Sequence, residues 1–491
     1  MSGLKIEGYS TMDAASCLSL LEAPPAVGGS GDAPVRGTQP EKKASDYVRR
    51  CVGEYLQSPV RHLFYSGGWY GWDVESGWLS CTGSDVEADA VRFLHSRGAR
   101  VTRALVTDFL TVVRAGLSLP GDGIPALFFR LEDGLQVRTR EAKHWIPTRS
   151  HYVNILTGQA VEVDGSLFTL GCVSCDYDPL ATCPQWERFV LQSCPDDGEM
   201  LRAMFGLSLT FDRRFNVFFV VHGAAGTGKS TALALLAALN RGTACGVSLG
   251  AFGERFQTYP LTTNRLNLVQ DMDSVFEGAG SVSQREAVLK SLTCGERIQV
   301  EQKHVAPEYR RLTALSVFGC NTLPRFADRS RAIADRLRII RFPNVFRGTG
   351  GEVLNLAERL IQEELPGILN WSLAGYRSLV ANGNRRFPET EASALLKGDL
   401  IKSSRPEELF FEECLTVGTP AEREPTRNVY TRYGNWCRFR GYRALAENAF
   451  SSRLRECFPS VQTTRIRCNG SRLTVYVGLR LLPCSDSLVQ L

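Results

Sequence analysis

Val217-Phe-Phe-Val-Val221, His222, then Gly223-Ala-Ala-Gly226-Thr227-Gly228-Lys229-Ser230, then Thr231 to Leu239: an apolar run, a glycine-rich turn and a stretch of good helix formers follow one another without a gap. The middle segment carries the pattern G-x-x-x-x-G-K-[ST] in the strand, loop and helix context that gives it meaning. Its glycines let backbone N–H groups curl around phosphate oxygens, and the helix N-terminus behind them adds a favourable dipole. Gly223, Ala224, Ala225, Gly226, Thr227, Gly228, Lys229, Ser230 and Thr231 are therefore expected to cradle a nucleotide. Lys229 is expected on the β and γ phosphates and Ser230 on Mg²⁺.

A phosphate-binding loop does not by itself separate GTPases, kinases and motor ATPases. The sequence has no Asn-Lys-x-Asp motif for guanine. Downstream, Leu266-Asn-Leu-Val-Gln270 reads as a buried strand ending in Asp271-Met-Asp273, which sets two carboxylates at a strand's C-terminal edge. One is expected in the Mg²⁺ shell and the other to orient or activate water. Asp271 is the expected metal residue with Ser230, although the Asp-x-Asp spacing leaves the two roles open. A third strand, Leu315 to Cys320, ends in Asn321, whose amide is placed to sense the γ-phosphate; a turn-forming asparagine is the plainer alternative.

At 491 residues, with 43% hydrophobic and 22% charged, the chain has ordinary globular composition. That excludes a mainly disordered, collagenous or coiled-coil protein and predicts two to four domains. The balance of 57 basic against 52 acidic residues gives +5, too mild to prove a nucleic-acid partner unless it is concentrated locally. Only nine of the basic residues are lysines, so the position of each lysine is informative. The 15 cysteines are odd in number and scattered, as reduced thiols are. No basic start followed by an apolar run and no stretch of 18 apolar residues occurs, so a soluble, cytoplasmic protein without a membrane partner is expected.

The composition shifts suggest boundaries. Residues 1–45 read as a flexible tail rich in Pro, Gly and Ser, and 46–150 as a small α+β domain in which Ser84-Asp-Val-Glu87 forms a capping box. Residues 152–170 alternate around Thr157-Gly158 and Asp164-Gly165 as short hairpin strands do. Helical patterning at 183–209 makes 151–212 a collar segment; 213–380 alternates strand-like and amphipathic stretches; 381–405 is a polar connector; 406–491 is a separate small domain.

Several segments then fall into a known order. Beside the phosphate loop and Asp271/Asp273 stand Leu289-Lys290-Ser-Leu-Thr-Cys-Gly295-Glu-Arg-Ile-Gln-Val-Glu301-Gln-Lys303, Asn321-Thr-Leu-Pro324-Arg-Phe326-Ala-Asp328 and Arg336-Leu-Arg-Ile-Ile-Arg-Phe342. Upstream are Asp176-Tyr-Asp-Pro-Leu-Ala-Thr-Cys183-Pro184-Gln-Trp186 and Met204-Phe-Gly206; downstream are Glu364-Leu-Pro-Gly-Ile-Leu-Asn-Trp371 and Tyr430-Thr-Arg-Tyr433-Gly-Asn-Trp436. Together, over residues 150 to 480, they resemble superfamily 3 helicases, and within them the poxvirus-type primase-helicase group that includes phage and plasmid replication proteins. The resemblance implies an α/β fold: an AAA+ P-loop ATPase core, N-terminal α+β and helical collar segments, and a C-terminal winged helix.

It also implies an ATP- and Mg²⁺-dependent replicative DNA helicase of a virus, phage or mobile element. Such a protein works as a homo-oligomeric ring, usually a hexamer, on single-stranded and forked DNA, with a separate primase or polymerase as a partner. Arg336 then matches the finger offered to a neighbour's γ-phosphate, with Arg338 and Arg341 as rivals. Lys303 and His304 match a DNA-gripping hairpin in the channel. No metal-binding acidic pair with a histidine precedes the collar, so primase activity is not expected. An ATP-dependent origin-binding initiator without processive unwinding is the alternative. A packaging or partition ATPase would lack the hairpin lysine and the C-terminal DNA reader.

Three further signals point mostly elsewhere. Cys172, Cys175, Cys183 and Cys194 fit no standard four-ligand zinc spacing, which favours packing. Phe64, Tyr65, Trp69, Tyr70, Trp72 and Trp78 are expected in a core rather than as a platform for bases. From Arg423 to Arg480, twelve arginines stand against Glu424, Glu447 and Glu456, over a helix, helix, hairpin pattern. They are the expected duplex-binding surface.

Overall fold

The computed structural model describes residues 39–483 apart from 58–61, 66, 74–75, 120–125, 133–134, 140–143, 164, 166, 170, 273–281, 303–304, 325, 327–330, 382–386, 404, 443 and 469–470. It is a mixed α/β protein that divides into two compact units. One comprises the described residues up to Thr322 with Ile340–Thr390; the other comprises Leu323–Ile339 and the described residues from Glu391 onward.

In the first unit, α1 (Gln39–Gln57), α2 (Gly83–Ser96) and α3 (Arg103–Leu117) bury Val52, Ala90, Leu94, Phe109 and Val113 together. The sheet beside them runs β3-β2-β1-β4, with β1 His62–Tyr65, β2 Gly68–Asp73, β3 Gly77–Cys81 and β4 Ser118–Leu119. The residues from Gln39 to Ser45, expected in the tail, are helical instead, as the leading turns of α1, whose later residues Val48, Cys51 and Val52 are buried. The capping box also lies two residues earlier than expected. Thr82 Oγ1 accepts from Asp85 N (3.2 Å) and Asp85 Oδ2 accepts from Thr82 N (2.8 Å), because the helix begins at Gly83 and only a side chain just outside it can reach its first free N–H groups.

Next come β5 (Ala126–Glu132), β6 (Leu135–Thr139), β7 (Trp145–Pro147), β8 (His151–Asn154), β9 (Ala160–Glu162) and β10 (Leu167–Thr169). The turn at Thr157-Gly158 closes the β8–β9 hairpin, with Gly158 at φ +79°. The second turn does not close a hairpin. After Gly165, β10 leaves β9 and pairs antiparallel with β5, a non-local partner that local alternation cannot reveal.

The centre of the unit is a five-stranded sheet in the order β12-β13-β16-β11-β17. Its strands are β11 (Phe218–His222), β12 (Ala244–Cys245), β13 (Leu266–Val269), β16 (Leu315–Cys320) and β17 (Leu337–Arg341), of which Ile340 and Arg341 fall in this unit. β14 (Arg297–Gln302) and β15 (Val305–Arg311) form a separate antiparallel hairpin. Phe218 to Val221 and all of β16 are buried, the continuous apolar runs of strands covered on both faces. β11, β16 and β13 are parallel, in registers His222↔Cys320 and Val269↔Phe318, so their C-terminal ends share one edge of the sheet.

The helices of this unit are α4 (Pro184–Ser193), α5 (Gly198–Ser208), α6 (Lys229–Leu239), a short α7 (Pro260–Thr263) and α8 (Val282–Cys294), then, after β17, α10 (Leu356–Glu363) and α11 (Leu365–Ala381); α9 (Ala332–Arg336) belongs to the second unit. α5 and α11 touch backbone to backbone. A Cβ at Gly206 would lie 2.3 Å from Ser372 O, and one at Gly375 would lie 2.4 Å from Arg202 O. The N-terminus of α4 is held by Glu364, whose two carboxylate oxygens accept from Gln185 N (3.0 Å) and Trp186 N (2.9 Å). Trp186 then stacks on Phe189, with Phe205 tilted against it and Trp371 edge-on.

The second unit holds α12 (Glu391–Ser403), α13 (Pro406–Cys414), α14 (Thr426–Phe439) and α15 (Glu447–Cys457), with β18 (Leu415–Val417), β19 (Arg423–Pro425), β20 (Gln462–Cys468), β21 (Ser471–Val477) and β22 (Leu479–Leu481). Most of the stretch expected as a connector is therefore helix, built on the good helix formers Glu391-Ala-Ser-Ala-Leu-Leu-Lys397. Phe410, Tyr433, Trp436, Phe450 and Leu454 make the core of this unit, with Tyr433 stacked on Phe450 at 4.4 Å.

Candidate functional site

The parallel register decides where the chemistry collects. β11 ends at the phosphate loop, β13 at Gln270-Asp271 and β16 at Asn321, and all three ends open on one cavity of about 510 Å³. Ala225 to Thr231, Asp271 and Asn321 line it together. This is the edge of a parallel sheet at which ligands bind. Met272 N donates to Gly319 O (2.7 Å) and fixes the turn that carries Asp271. Asp273 lies outside the described residues.

The loop is a cradle with no room for side chains. Gly226 and Gly228 have φ +78° and +92°, and a Cβ at Gly223 would lie 2.3 Å from Phe342 O. A Cβ at Gly228 would lie 2.8 Å from the Phe189 ring. Thr227 Oγ1 donates to Ala224 O (2.9 Å) and braces the turn. Lys229 is buried, and its Nζ donates to Gly223 O and Ala224 O, both at 2.6 Å, so it lies across its own loop. Burial pulls its pKa below the ordinary lysine value, while Cys320 and Asp271 oppose the shift. Burial and the neighbouring Lys229 also lower the pKa of His222, which favours its neutral form. The exposed Ser230 hydroxyl and the Asp271 carboxylate are hard oxygen ligands of the kind Mg²⁺ takes. The cradle and this donor set fit a nucleoside triphosphate with Mg²⁺.

The other walls of the cavity have no motif. Gln185, Arg188, Phe189 and Gln192 come from α4, and Arg347, Glu352, Val353, Leu356 and Arg359 from the loop after β17 and from α10. Sequence reasoning missed them. Cys183-Pro184 marked the start of α4, but nothing in its spacing points to a ligand.

The expected arginines have distinct surroundings. Arg336 ends α9 in the second unit, and its Nη1 donates to Ala332 O (2.9 Å). Arg338 is buried, its Nη1 donating to Asp335 O and Leu337 O. Arg341 is paired with Asp196 (2.7 Å) and with the buried Asp197 (3.1 Å). Lys303 and His304 lie outside the described residues, between strands whose pairing runs to Gln302↔Val305.

Cys172, Cys175, Cys183 and Cys194 are all buried, the last three within the main apolar core. Tyr65, Tyr70 and Trp78 are buried against Phe168, so much of the aromatic group is core. In the C-terminal region Arg440 pairs with Glu413, Arg453 with Glu408 and Glu456, and Arg480 with Glu422. Arg465, Arg467 and Arg472 are exposed on the β20–β21 hairpin, with Arg467 directly opposite Arg472. Like charges in that position destabilise a hairpin, so no fold requirement accounts for them.

Residues 221–336, which begin at the phosphate loop, match the family model described as a family of unknown function, DUF5906. Residues 409–480 match the model described as Poxvirus D5 protein-like. No curated protein matches the sequence. Among solved structures the chain is similar to the apo structure of NrS-1 C terminal region, at TM-score 0.50 and 12% identity over 87% of this chain and 98% of that one. An A form apo structure of the same region gives TM-score 0.49 at 12% identity with the same coverage. At such identity the first likeness is one of fold, and it is a mixed α/β fold that the two chains share.

Proposed function

We propose that the chain is an ATP-dependent replicative DNA helicase of a virus, phage or mobile element that translocates on single-stranded DNA as a ring. The observation that carries this reading is the convergence of Lys229, Ser230, Asp271 and Asn321 on one cavity, with β16 inserted between the strands that bear the loop and the carboxylate. That strand order supports an AAA+ core, the match to a Poxvirus D5 protein-like model supports the viral context, and α14, α15 and the β20–β21 hairpin support a C-terminal winged helix.

On this reading, MgATP supplies the phosphoryl group that is transferred to water. The loop N–H groups and Lys229 bind and orient the phosphates, Ser230 and Asp271 would hold Mg²⁺, and Asp273 would receive the proton of the attacking water. Asn321 would fix the γ-phosphate, and Arg336 would stabilise the transition state from the adjoining subunit, where a cation over the transferring group has its largest effect. Lys303 and His304 would grip the strand. The exposed hairpin arginines also support the second reading, an origin-binding initiator without processive unwinding.

Strand displacement on a forked substrate decides between the two. Unwinding by the wild-type protein and none by Lys229→Ala supports the helicase. Lys229-dependent ATP hydrolysis with duplex binding but no displacement would leave the initiator, and the absence of any Lys229-dependent hydrolysis would sink both.

A further inference from the structure

The loop after β17 is tied to the phosphate loop through backbone. Phe346 N and Arg347 N both donate to the carbonyl of Gly226, at 2.9 and 3.3 Å. A Cβ built at Gly226 would lie 2.4 Å from Arg347 Cβ, so the two segments are in close contact at the middle of the glycine-rich turn. The loop is braced from within, by Gly348 N on Glu352 Oε2 (2.8 Å) and Thr349 Oγ1 on Phe346 O (2.7 Å). Arg347 lines the same cavity as Lys229. Its guanidinium has no hydrogen bond or ion pair among the described residues.

Charge makes the same point. Among the described residues, Arg188, Lys229, Arg347 and Arg359 line the cavity with two carboxylates, Asp271 and Glu352, a cationic surplus suited to a polyanion. Arg188 and Arg359 stand on helices that, among the described residues, make no backbone hydrogen bond to the turn. Arg347 alone of the three arginines is latched to the backbone that would hold the phosphates. Resting on the reading of this cavity as an ATP site, the geometry points to Arg347 as a phosphate-contacting residue that acts in cis, on the nucleotide held by its own chain. It thus complements Arg336, whose expected role is in trans. A charge-assisted contact of this kind favours the triphosphate and leaves the nucleoside unaffected.

The test compares ATP with adenosine as competitors for a fluorescent ATP analogue on the full-length protein. Arg347→Ala is expected to weaken ATP about ten- to a hundredfold, as for a hydrogen bond to a charged group, with adenosine unchanged and partial recovery in Arg347→Lys. Unchanged ATP affinity, or a parallel loss of ATP and adenosine, would overturn the inference, the second outcome marking a loop that has merely collapsed. If the wild-type protein binds no ATP, or Lys229→Ala binds it equally well, the reading of the cavity falls and the inference with it. Mixing variants tests the cis assignment separately. Arg347→Ala with Arg336→Ala should recover turnover, because an Arg336→Ala subunit keeps its own Arg347 and can borrow a finger. Arg347→Ala with Lys229→Ala should not recover, and recovery there would mean that Arg347 acts in trans.

Discussion

Cations are arranged in opposite ways in the two units. Around the cavity Arg188, Lys229, Arg347 and Arg359 converge from three walls on one open cleft, whereas Arg465, Arg467 and Arg472 stand along a hairpin. Convergence suits a small polyanion that must be held in one pose. A row suits a polymer: alternate strand residues share a face about 7 Å apart and meet a backbone without reading its sequence. The difference separates a site whose residues act as a unit from one whose residues contribute individually, and mutation can measure it.

The largest effect is expected at Lys229. Lys229→Ala should take ATP turnover to background with the fold intact, and a purified variant keeping more than about a tenth of wild-type turnover would sink the assignment, because removing a main phosphate ligand should cost at least about 1.4 kcal/mol in the transition state. Arg336→Ala should bind ATP normally and hydrolyse it about a thousandfold more slowly. Mixed with Lys229→Ala, it should regain measurable ATPase activity, since each dead protein supplies what the other lacks. No recovery despite mixed assembly would mean that Arg336 acts in cis or is not the finger.

In the hairpin row, losses should add. Replacing Arg465, Arg467 and Arg472 together with alanine should flatten the slope of log affinity for duplex DNA against log salt by about one unit per arginine, with ATPase activity preserved. An unchanged slope in filter binding would leave these arginines as a solvated face. The smallest effect is on stability: Arg467→Ala alone removes the like-charge pair with Arg472 and should raise the urea midpoint of the C-terminal transition by the equivalent of a few tenths of a kcal/mol.

What the sequence revealed follows the range of the interactions involved. β11, β13 and β16 were legible because strands covered on both faces are continuous apolar runs, and the phosphate loop because its glycines answer to local φ angles and close approaches. Lys229, Asp271 and Asn321 could be assigned to one edge because a parallel sheet puts strand ends together. The remaining walls could not. Arg188, Arg347 and Arg359 meet the loop only through tertiary packing, and an arginine-rich chain gives no sign of which arginines converge. The exit of β10 from its hairpin to β5 was hidden for the same reason. The capping box failed differently: Ser84, the expected cap, lies inside the helix, which starts at Gly83, so the residue just outside it, Thr82, takes the role.

The Glu364 cap has a mechanical consequence. It rivets α4, and with it Gln185, Arg188 and Phe189, to the junction of α10 and α11, and swinging α4 away would strip a buried carboxylate of two donors at a cost of about 1–3 kcal/mol for each hydrogen bond broken. The opposite side, residues 343–355, is secured by turns and by its latch on Gly226. Both sides of the cavity are therefore pinned, α4 through Glu364 and the 343–355 loop through Gly226 and through Asn344 Nδ2, which donates to Gln192 O of α4 (2.7 Å).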